Sequence, residues 1–307
     1  MLRFVGRRLW NGGLTLAALV TLTFFVMRLA PGGPFSRNRK ISPEVQANIE
    51  AAFHLDEPLW MQFGRFVWGV LRLDLGPSTR HRDYSVNDLI ASGLPYSLTI
   101  GFWAVVVAAL VGVALGVAGA LRRNGVTDYA AGIIGVTGIA IPIFVIGPVA
   151  QVVFGLKLEW LPIGGWDGTW RSLVLPVLVL ALPNIAYISR LTRTSMIETL
   201  RENYIRTARA KGIGGRRVLW RHTLTGALLP VIAYLGPATA AIITGSILIE
   251  TVFAVPGIGR HFVDAALNRD YPLVMGITLL YGGLLILFNI ATDVVRAILD
   301  PRIRHER

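Results

Sequence analysis

The sequence predicts an all-α fold, a polytopic membrane helix bundle in which one transmembrane domain covers residues 1–307 and crosses the membrane six times. First, 53% of the residues are hydrophobic and the mean hydropathy is +0.58, which is too apolar for an ordinary soluble domain. Second, six long windows contain no Asp, Glu, Lys or Arg, and each can hold the roughly 20 helical residues that cross about 30 Å of hydrocarbon. These windows are 9–27, 89–121, 129–156, 172–189, 223–249 and 271–292.

The distribution of Lys and Arg predicts the orientation. Six crossings place both termini, the 122–128 turn and the 190–222 loop on one side, and that side carries 18 of the 30 basic residues. The main segment on the other side, 31–95, balances seven basic residues against seven acidic ones. Because cytoplasmic loops carry the basic excess, we expect both termini in the cytoplasm and residues 31–95 outside it. This bias also accounts for the net charge of +12 without a nucleic-acid partner.

Two stretches invite other interpretations. The first window follows three arginines, as in a secretory signal, but its apolar core is longer than a typical signal's and favours an uncleaved helix. The stretch 59–73 is apolar enough to suggest a seventh crossing. It is short, two arginines interrupt it, and its apolar residues recur at helical spacing, so an interfacial helix is the better interpretation. Val45, Ile49 and Phe53 indicate a second amphipathic helix in the same extracytoplasmic segment.

The sequence lacks the patterns of an enzyme or a metal site. It has no cysteine, which excludes disulfides, thiolate nucleophiles and Cys-ligated metals. It has no Gly-Lys-Ser/Thr phosphate loop, and its five histidines are far apart without an H-E-x-x-H helix. We therefore predict no catalytic residue, no metal ligand and no cofactor in this chain.

A few polar side chains fall inside or beside the apolar windows. Arg28, Glu250 and Asp293 lie at window margins, where we expect them to reach the headgroups. No acid lies at the middle of a window, which argues against a channel or secondary transporter with its own proton relay. Four residues within windows are candidates for lining a transport pathway, and interhelical hydrogen bonding is an equal alternative. They are Asn184, Tyr234, Tyr281 and Asn289.

The 190–222 loop contains a basic segment with an apolar stripe. Ile197, Leu200, Tyr204 and Ala208 recur at three- and four-residue steps, which predicts one face of a helix. Glu202 stands four residues before Arg206, a spacing that supports an exposed helix, and the glycines at 212, 214 and 215 end it. Such a segment suits an orientation signal, a helix on an anionic lipid surface or a helix that docks into a partner's groove.

Motifs along nearly the whole chain carry a family resemblance. RTARAKG at Arg206–Gly212, followed by RHTLTGALLP, resembles the cytoplasmic signature loop of membrane subunits of ABC importers. The generic Glu-Ala-Ala is replaced by Arg206, Thr207 and Ala208, with Gly212 in register. Further stretches are similar to the B-type permease of bacterial oligopeptide importers, within the dipeptide, oligopeptide and nickel permease family. They are MRLAPGGPF, PEVQANIEAAFHL, DYSVNDLIAS, ITGSILIET, PGIG, ALNRDYP and DPRIR.

The resemblance implies a type I ABC importer permease fold in the bacterial inner membrane. Its partners would be a second, similar permease, two cytoplasmic ATPase subunits that bind ATP and Mg²⁺, an extracytoplasmic substrate-binding protein, a peptide substrate and membrane lipid. Residues 198–212 would form the coupling helix, with Tyr204, Ile205 and Ala208 pressing into an ATPase groove. The implied coupling residues are Glu198, Arg201, Glu202, Tyr204, Ile205, Arg206, Ala208, Arg209, Lys211 and Gly212.

The resemblance leaves two questions open. Dipeptides, murein peptides, glutathione and nickel are alternative cargoes to oligopeptides. The segment 31–95 either receives the binding protein or packs as a lid on its own bundle, and residues 251–271 would add a shorter cap.

Overall fold

The computed structural model describes residues 2–29, 54, 56–81 and 83–299, and within these residues the protein is helical, without β-strands. The expected helix of Val45, Ile49 and Phe53, the DPRIR motif and the extreme termini lie outside them. The helices are α1 (Leu2–Leu29), α2 (Leu59–Leu71), α3 (Val86–Leu121), α4 (Val126–Ala140), α5 (Ile143–Ala150), α6 (Trp170–Thr199), α7 (Asn203–Ala210), α8 (Gly215–Arg217), α9 (Leu224–Ala227), α10 (Leu229–Val252), α11 (Ile258–Asn268) and α12 (Tyr271–Leu299).

Five helices in the described part of the chain are long and apolar enough to cross a membrane: α1, α3, α6, α10 and α12. They confirm five of the six windows as helices. The third window is not one continuous helix, because α4 ends at Ala140 and α5 begins after Pro142. Proline lacks an N–H and its ring clashes with the preceding turn, which favours a break there. The count of six crossings and the cytoplasmic termini stay predictions.

The π-helical turn Gln151–Lys157 extends α5. The amide of Gln151 donates hydrogen bonds to the carbonyl oxygens of Ile163 at 2.7 Å and of Val252 at 3.0 Å. Val252 ends α10, so this turn is fastened to the end of another helix.

The helices α3 and α6 form the most extensive pair in the bundle. Glycines on α3 let the two backbones approach closely: a Cβ at Gly112 would lie 2.8 Å from Ile188, and one at Gly116 would lie 2.5 Å from Thr192. Ile188 and Thr192 are fully buried. Small residues are expected at such contacts, because helices in lipid associate by van der Waals packing rather than by escape from water.

The helix α2 confirms the prediction of a short helix at 59–73. With 13 residues it extends about 20 Å, which is too short to cross about 30 Å of hydrocarbon. Phe24 of α1 contacts Phe63 and Phe66 of α2, with ring centroids 5.3 and 5.7 Å apart. Trp60 and Trp68 are exposed, as expected of a helix lying in the membrane interface.

The close contact at Gly116 makes a testable prediction. Gly116→Ala places a methyl group against Thr192 and the carbonyl oxygen of Ser189, and we expect a loss of about 1–3 kcal/mol of stability from overpacking. The measurement is the thermal unfolding midpoint of the purified protein in detergent. Gly132→Ala is the matched control, because no atom lies within 4 Å of its added Cβ. Equal midpoints for the two variants would contradict the assigned contact.

Candidate functional site

The basic segment of the 190–222 loop forms the short helix α7, which ends at a well-defined glycine. Gly212 has φ +75° and donates from its N–H to the oxygen of Arg209 at 2.9 Å. The next N–H, that of Ile213, donates to the oxygen of Ala208 at 3.2 Å. These two bonds form a Schellman motif, whose left-handed position strongly favours glycine. The structure thus confirms that Gly212 ends the helix.

The expected bounds of the coupling helix, 198–212, are wrong, because the helix here spans only Asn203–Ala210. Glu198 belongs to α6, and the chain then turns, with the N–H of Arg201 donating to Glu198 and that of Glu202 to Thr199. Glu202 is the N-terminal cap of α7, with ψ 147°. Because its backbone is extended, Glu202 is outside the helical spacing that would bring it to Arg206, and no ion pair joins these two described residues.

The apolar stripe of α7 faces inward. Ile205 is 0% exposed and Ala208 7% exposed, and both pack with Val218 and Ile213 of the same chain. The expectation that Ile205 and Ala208 press into a partner's groove is therefore wrong, because the segment after the glycine stop folds back and covers them. They fasten α7 to the chain that follows it.

The outward surface of α7 is aromatic and basic. Tyr204 is 48% exposed, and its hydroxyl lies 3.5 Å from the oxygen of His222, at the long limit of a hydrogen bond. Partial burial raises the pKa of the Tyr204 phenol, and the charge of Glu202 adds to that shift, so the hydroxyl stays neutral at physiological pH. Four cations of the same segment are also exposed: Arg201, Arg206, Arg209 and Lys211.

A buried contact joins α9, which follows the basic segment in the chain, to the bundle. Met196, near the end of α6, is fully buried against Leu224 and Ala227 of α9 and Ala120 of α3. Close-packed side chains thus join α9 to the ends of the long helices α3 and α6.

An ion pair that the sequence analysis missed lies nearby. Arg193 of α6 donates from Nε and an Nη to the two carboxylate oxygens of Asp128, at 2.5 and 2.7 Å. Asp128 is 9% exposed and also accepts from the N–H of Asn124. This bidentate geometry ties α4 to α6. The two residues are 65 positions apart, so no local pattern could have paired them.

The four predicted pathway residues do not form one site. The hydroxyl of Tyr234 donates to the Asn184 side chain at 2.9 Å, and the exposed ring of Tyr187 stacks on Tyr234 with centroids 4.2 Å apart. Tyr281 is buried elsewhere, within the cluster of α3, α10, α11 and α12, and Asn289 is half-buried on α12. Of these four residues, only Asn184 and Tyr234 are in contact. Their hydrogen bond joins two helices, which is the alternative to a pathway-lining role that the sequence left open.

The expectation that Glu250 reaches the headgroups is wrong. Its side chain is 0% exposed and accepts from the Ser246 hydroxyl at 2.6 Å and the Gly259 N–H at 2.7 Å. The N–H of Ile258 donates to Ser97 of α3 beside it. The PGIG turn provides these amides at the start of α11, where the helix dipole favours a carboxylate. Asp293, in contrast, lies 3.0 Å from Arg8 in a partly exposed ion pair.

Comparisons with known proteins decide the family. The model for the "binding-protein-dependent transport system inner membrane component" family matches residues 112–305, and the model for its N-terminal region matches residues 1–100. The chain belongs to this family. It is the permease subunit of an ABC importer in the bacterial inner membrane, which it crosses several times, and its relatives are transport components rather than enzymes.

The relatives match over their full length. The oligopeptide transport system permease protein OppB of Salmonella typhimurium is 49% identical over 306 residues, which cover 99% of this chain and 100% of that protein. The dipeptide transport system permease protein DppB of Bacillus subtilis is 42% identical over 304 residues, covering 99% and 98%. A solved structure of the inward-facing MetNI methionine ABC transporter, at 16% identity and a TM-score of 0.56, shares the fold over 69% of this chain and 96% of its own.

The buried stripe of α7 makes a second prediction. Ile205→Ala leaves a cavity beneath the helix, which typically costs about 2–5 kcal/mol, so α7 should detach more readily from Val218. We expect faster hydrogen–deuterium exchange of the amides of residues 205–212. Arg209→Ala, an exposed change on the same helix, should leave that exchange rate unchanged. Unchanged exchange in Ile205→Ala would contradict the assigned packing.

Proposed function

We propose that this permease imports oligopeptides and that α7 couples it to a cytoplasmic ATPase subunit. The observation that carries the coupling role is the combination of a basic, aromatic outer surface with a buried apolar stripe and a glycine-defined end. An orientation signal needs only the charges. A helix on a lipid surface would present its apolar side chains to the lipid, whereas here they are buried in the chain.

The proposed assembly contains this permease, a second similar permease, two ATPase subunits that bind ATP and Mg²⁺, and an extracytoplasmic binding protein. The family name, which refers to binding-protein-dependent transport, and the full-length similarity to importer permeases support it. Tyr204, Arg201, Arg206, Arg209 and Lys211 would contact the ATPase, while Ile205 and Ala208 hold the helix in place. The 31–95 segment and residues 251–271 would face the binding protein.

The free energy that coupling requires indicates that the geometry of α7 matters more than any single charged side chain on it. Shifting the ratio of two permease conformations from 1:99 to 99:1 requires a partner that binds one conformation roughly 5.5 kcal/mol more tightly than the other. An exposed ion pair contributes about 0–1 kcal/mol, so no single arginine can supply it. The helix must instead move as a rigid unit whose two ends are fixed.

The third prediction tests that rigidity. Gly212→Val forces a β-branched residue into a left-handed conformation and removes the defined end of α7. We expect substrate-stimulated ATPase activity and uptake to fall by tenfold or more in the reconstituted complex, whereas Arg209→Ala reduces them less than threefold, as expected for about 0–1 kcal/mol.

Gly214→Val is the matched control. Gly214 is a neighbouring exposed glycine with φ −58°, which any residue adopts, and no atom lies within 4 Å of its added Cβ. Similar mild effects of Gly212→Val and Gly214→Val would contradict the proposal that the glycine-defined end of α7 is needed for coupling.

The cargo rests on similarity to the oligopeptide permease, with the dipeptide permease as second candidate. The fourth prediction concerns peptide length. In proteoliposomes containing the permease, its genomic partner permease, ATPases and binding protein, labelled peptides of three to five residues should accumulate with ATP. An ATPase that binds but does not hydrolyse ATP should abolish accumulation.

Each outcome of that assay has a distinct meaning. Preferential uptake of dipeptides would favour the second candidate, and uptake of Ni²⁺ or glutathione without peptides would reject a peptide cargo. Accumulation that persists without the ATPase subunits would reject the coupling role of α7.

A further inference from the structure

A cavity of about 190 Å³ lies where the end of α1, the helix α2 and the start of α12 meet. Its walls are mostly apolar, with Phe24, Phe66, Leu75 and Met275 among them, and Arg28 adds a guanidinium. The helix α1 packs chiefly against α12 and α2, so the cavity lies at the edge of the bundle. It is separate from the Asn184–Tyr234 pair of α6 and α10.

One N–H of Arg28 lacks an acceptor among residues 2–29, 54, 56–81 and 83–299. The Nε atom is buried and its N–H donates no hydrogen bond there, and no acid there forms an ion pair with Arg28. The guanidinium carbon lies 5.5 Å from the centroid of the Phe24 ring. The other cavity arginine differs, because Arg65 donates to both carboxylate oxygens of Glu57 at 2.8 and 2.9 Å. Asp74, also in the wall, accepts from the N–H of Gly76. A buried N–H without an acceptor is costly, and a ligand with anionic oxygens would supply that acceptor.

The side chains around the cavity are of the kinds found at headgroup depth. Next to the cavity, α2 exposes Trp60 and Trp68, at 71% and 56%, and the guanidinium of Arg72 lies 4.5 Å from the Trp68 ring centroid. Tryptophan is enriched where hydrocarbon meets water, and an arginine side chain can lay its apolar stem along the hydrocarbon while its charge reaches that interface. On the other flank, α1 exposes the apolar side chains of Val26 and Leu29, which suit lipid tails.

We propose that this cavity binds the phosphodiester headgroup of an anionic phospholipid. The guanidinium of Arg28 donates charge-assisted hydrogen bonds to the phosphate oxygens. Phe24, Leu75 and Met275 contact the glycerol and the first methylenes of the acyl chains. A lipid held there joins α1 to the interfacial helix α2.

The test measures which lipid stays with the protein. The complete transporter is equilibrated in nanodiscs of equal phosphatidylglycerol and phosphatidylcholine, extracted into detergent, and its retained lipids are quantified by mass spectrometry. We expect phosphatidylglycerol to be enriched over phosphatidylcholine. The enrichment should fall about tenfold in Arg28→Gln, which corresponds to about 1.4 kcal/mol, and should be partly kept in Arg28→Lys.

Arg72→Gln is the matched control, because Arg72 is an exposed arginine of the same interface that does not line the cavity. It should retain the wild-type lipid ratio. Equal retention of the two lipids by the wild-type protein overturns the proposal without any variant, and so does an unchanged ratio in Arg28→Gln.

Two competitors identify other sources of the anion. Displacement of the retained lipid by millimolar inorganic phosphate would assign the cavity to a free anion, and displacement by peptide would assign it to a substrate carboxylate. Lipid counting needs neither ATP nor transport, so its result is independent of the proposed cargo and coupling.

Discussion

The close approach of α3 and α6 is the constraint on which the rest of the structure depends. At Gly112 and Gly116 there is no room for a Cβ, since Ile188 and Thr192 occupy that space. Apolar side chains gain little free energy when they move from lipid hydrocarbon into a helix contact. This contact is therefore stabilised by dense van der Waals packing. Because α6 carries Asn184, Arg193 and Met196 along its length, its position against α3 also sets where the hydrogen bond to Tyr234, the ion pair with Asp128 and the contact with α9 lie.

The helix α7 shows how a short element becomes a rigid one. Eight residues are too few for a stable isolated helix, so its order comes from tertiary contacts and caps. Ile205 and Ala208 provide the contact with Val218, and Gly212 provides the end. Burial of the apolar stripe leaves Tyr204 and the cations on the outer surface of the helix. In the proposed assembly the ATPase subunit would recognise this outer surface, while the rigidity of α7 depends on the buried side chains and on Gly212.

The sequence allowed most of the helices to be predicted, because charge-free windows of about 20 residues and a glycine stop have direct physical causes. It did not reveal the inward face of α7, since an apolar stripe looks the same whether a partner or the following segment covers it. It also misplaced Glu250. An acid at the end of an apolar window looks in the sequence like a residue at the membrane boundary. Glu250 is buried because the Gly259 N–H donates to it, and Ser97 of the distant helix α3 accepts from the neighbouring Ile258 N–H.

Polar contacts near helix ends complement the apolar packing of the middle. Asp270, fully buried, accepts from the Ser78 hydroxyl at 2.5 Å and from Thr79, and so ties the segment before α3 to the start of α12. Such contacts are directional, whereas apolar contacts along a helix tolerate small sliding and tilting.

Directional polar contacts of this kind lie on both sides of the break at Pro142. On one side of it, Asp128 ties α4 to α6 through Arg193. On the other side, Gln151 ties the end of α5 to Val252 at the end of α10. Pro142 lacks the N–H that would continue the helical hydrogen bonds, so α4 and α5 are two separate segments, each held by its own polar contact. The direction of α5 is therefore not fixed by that of α4. Direct packing of α5 on α6 and the hydrogen bond between Asn184 and Tyr234 then hold both segments and α10 in one bundle.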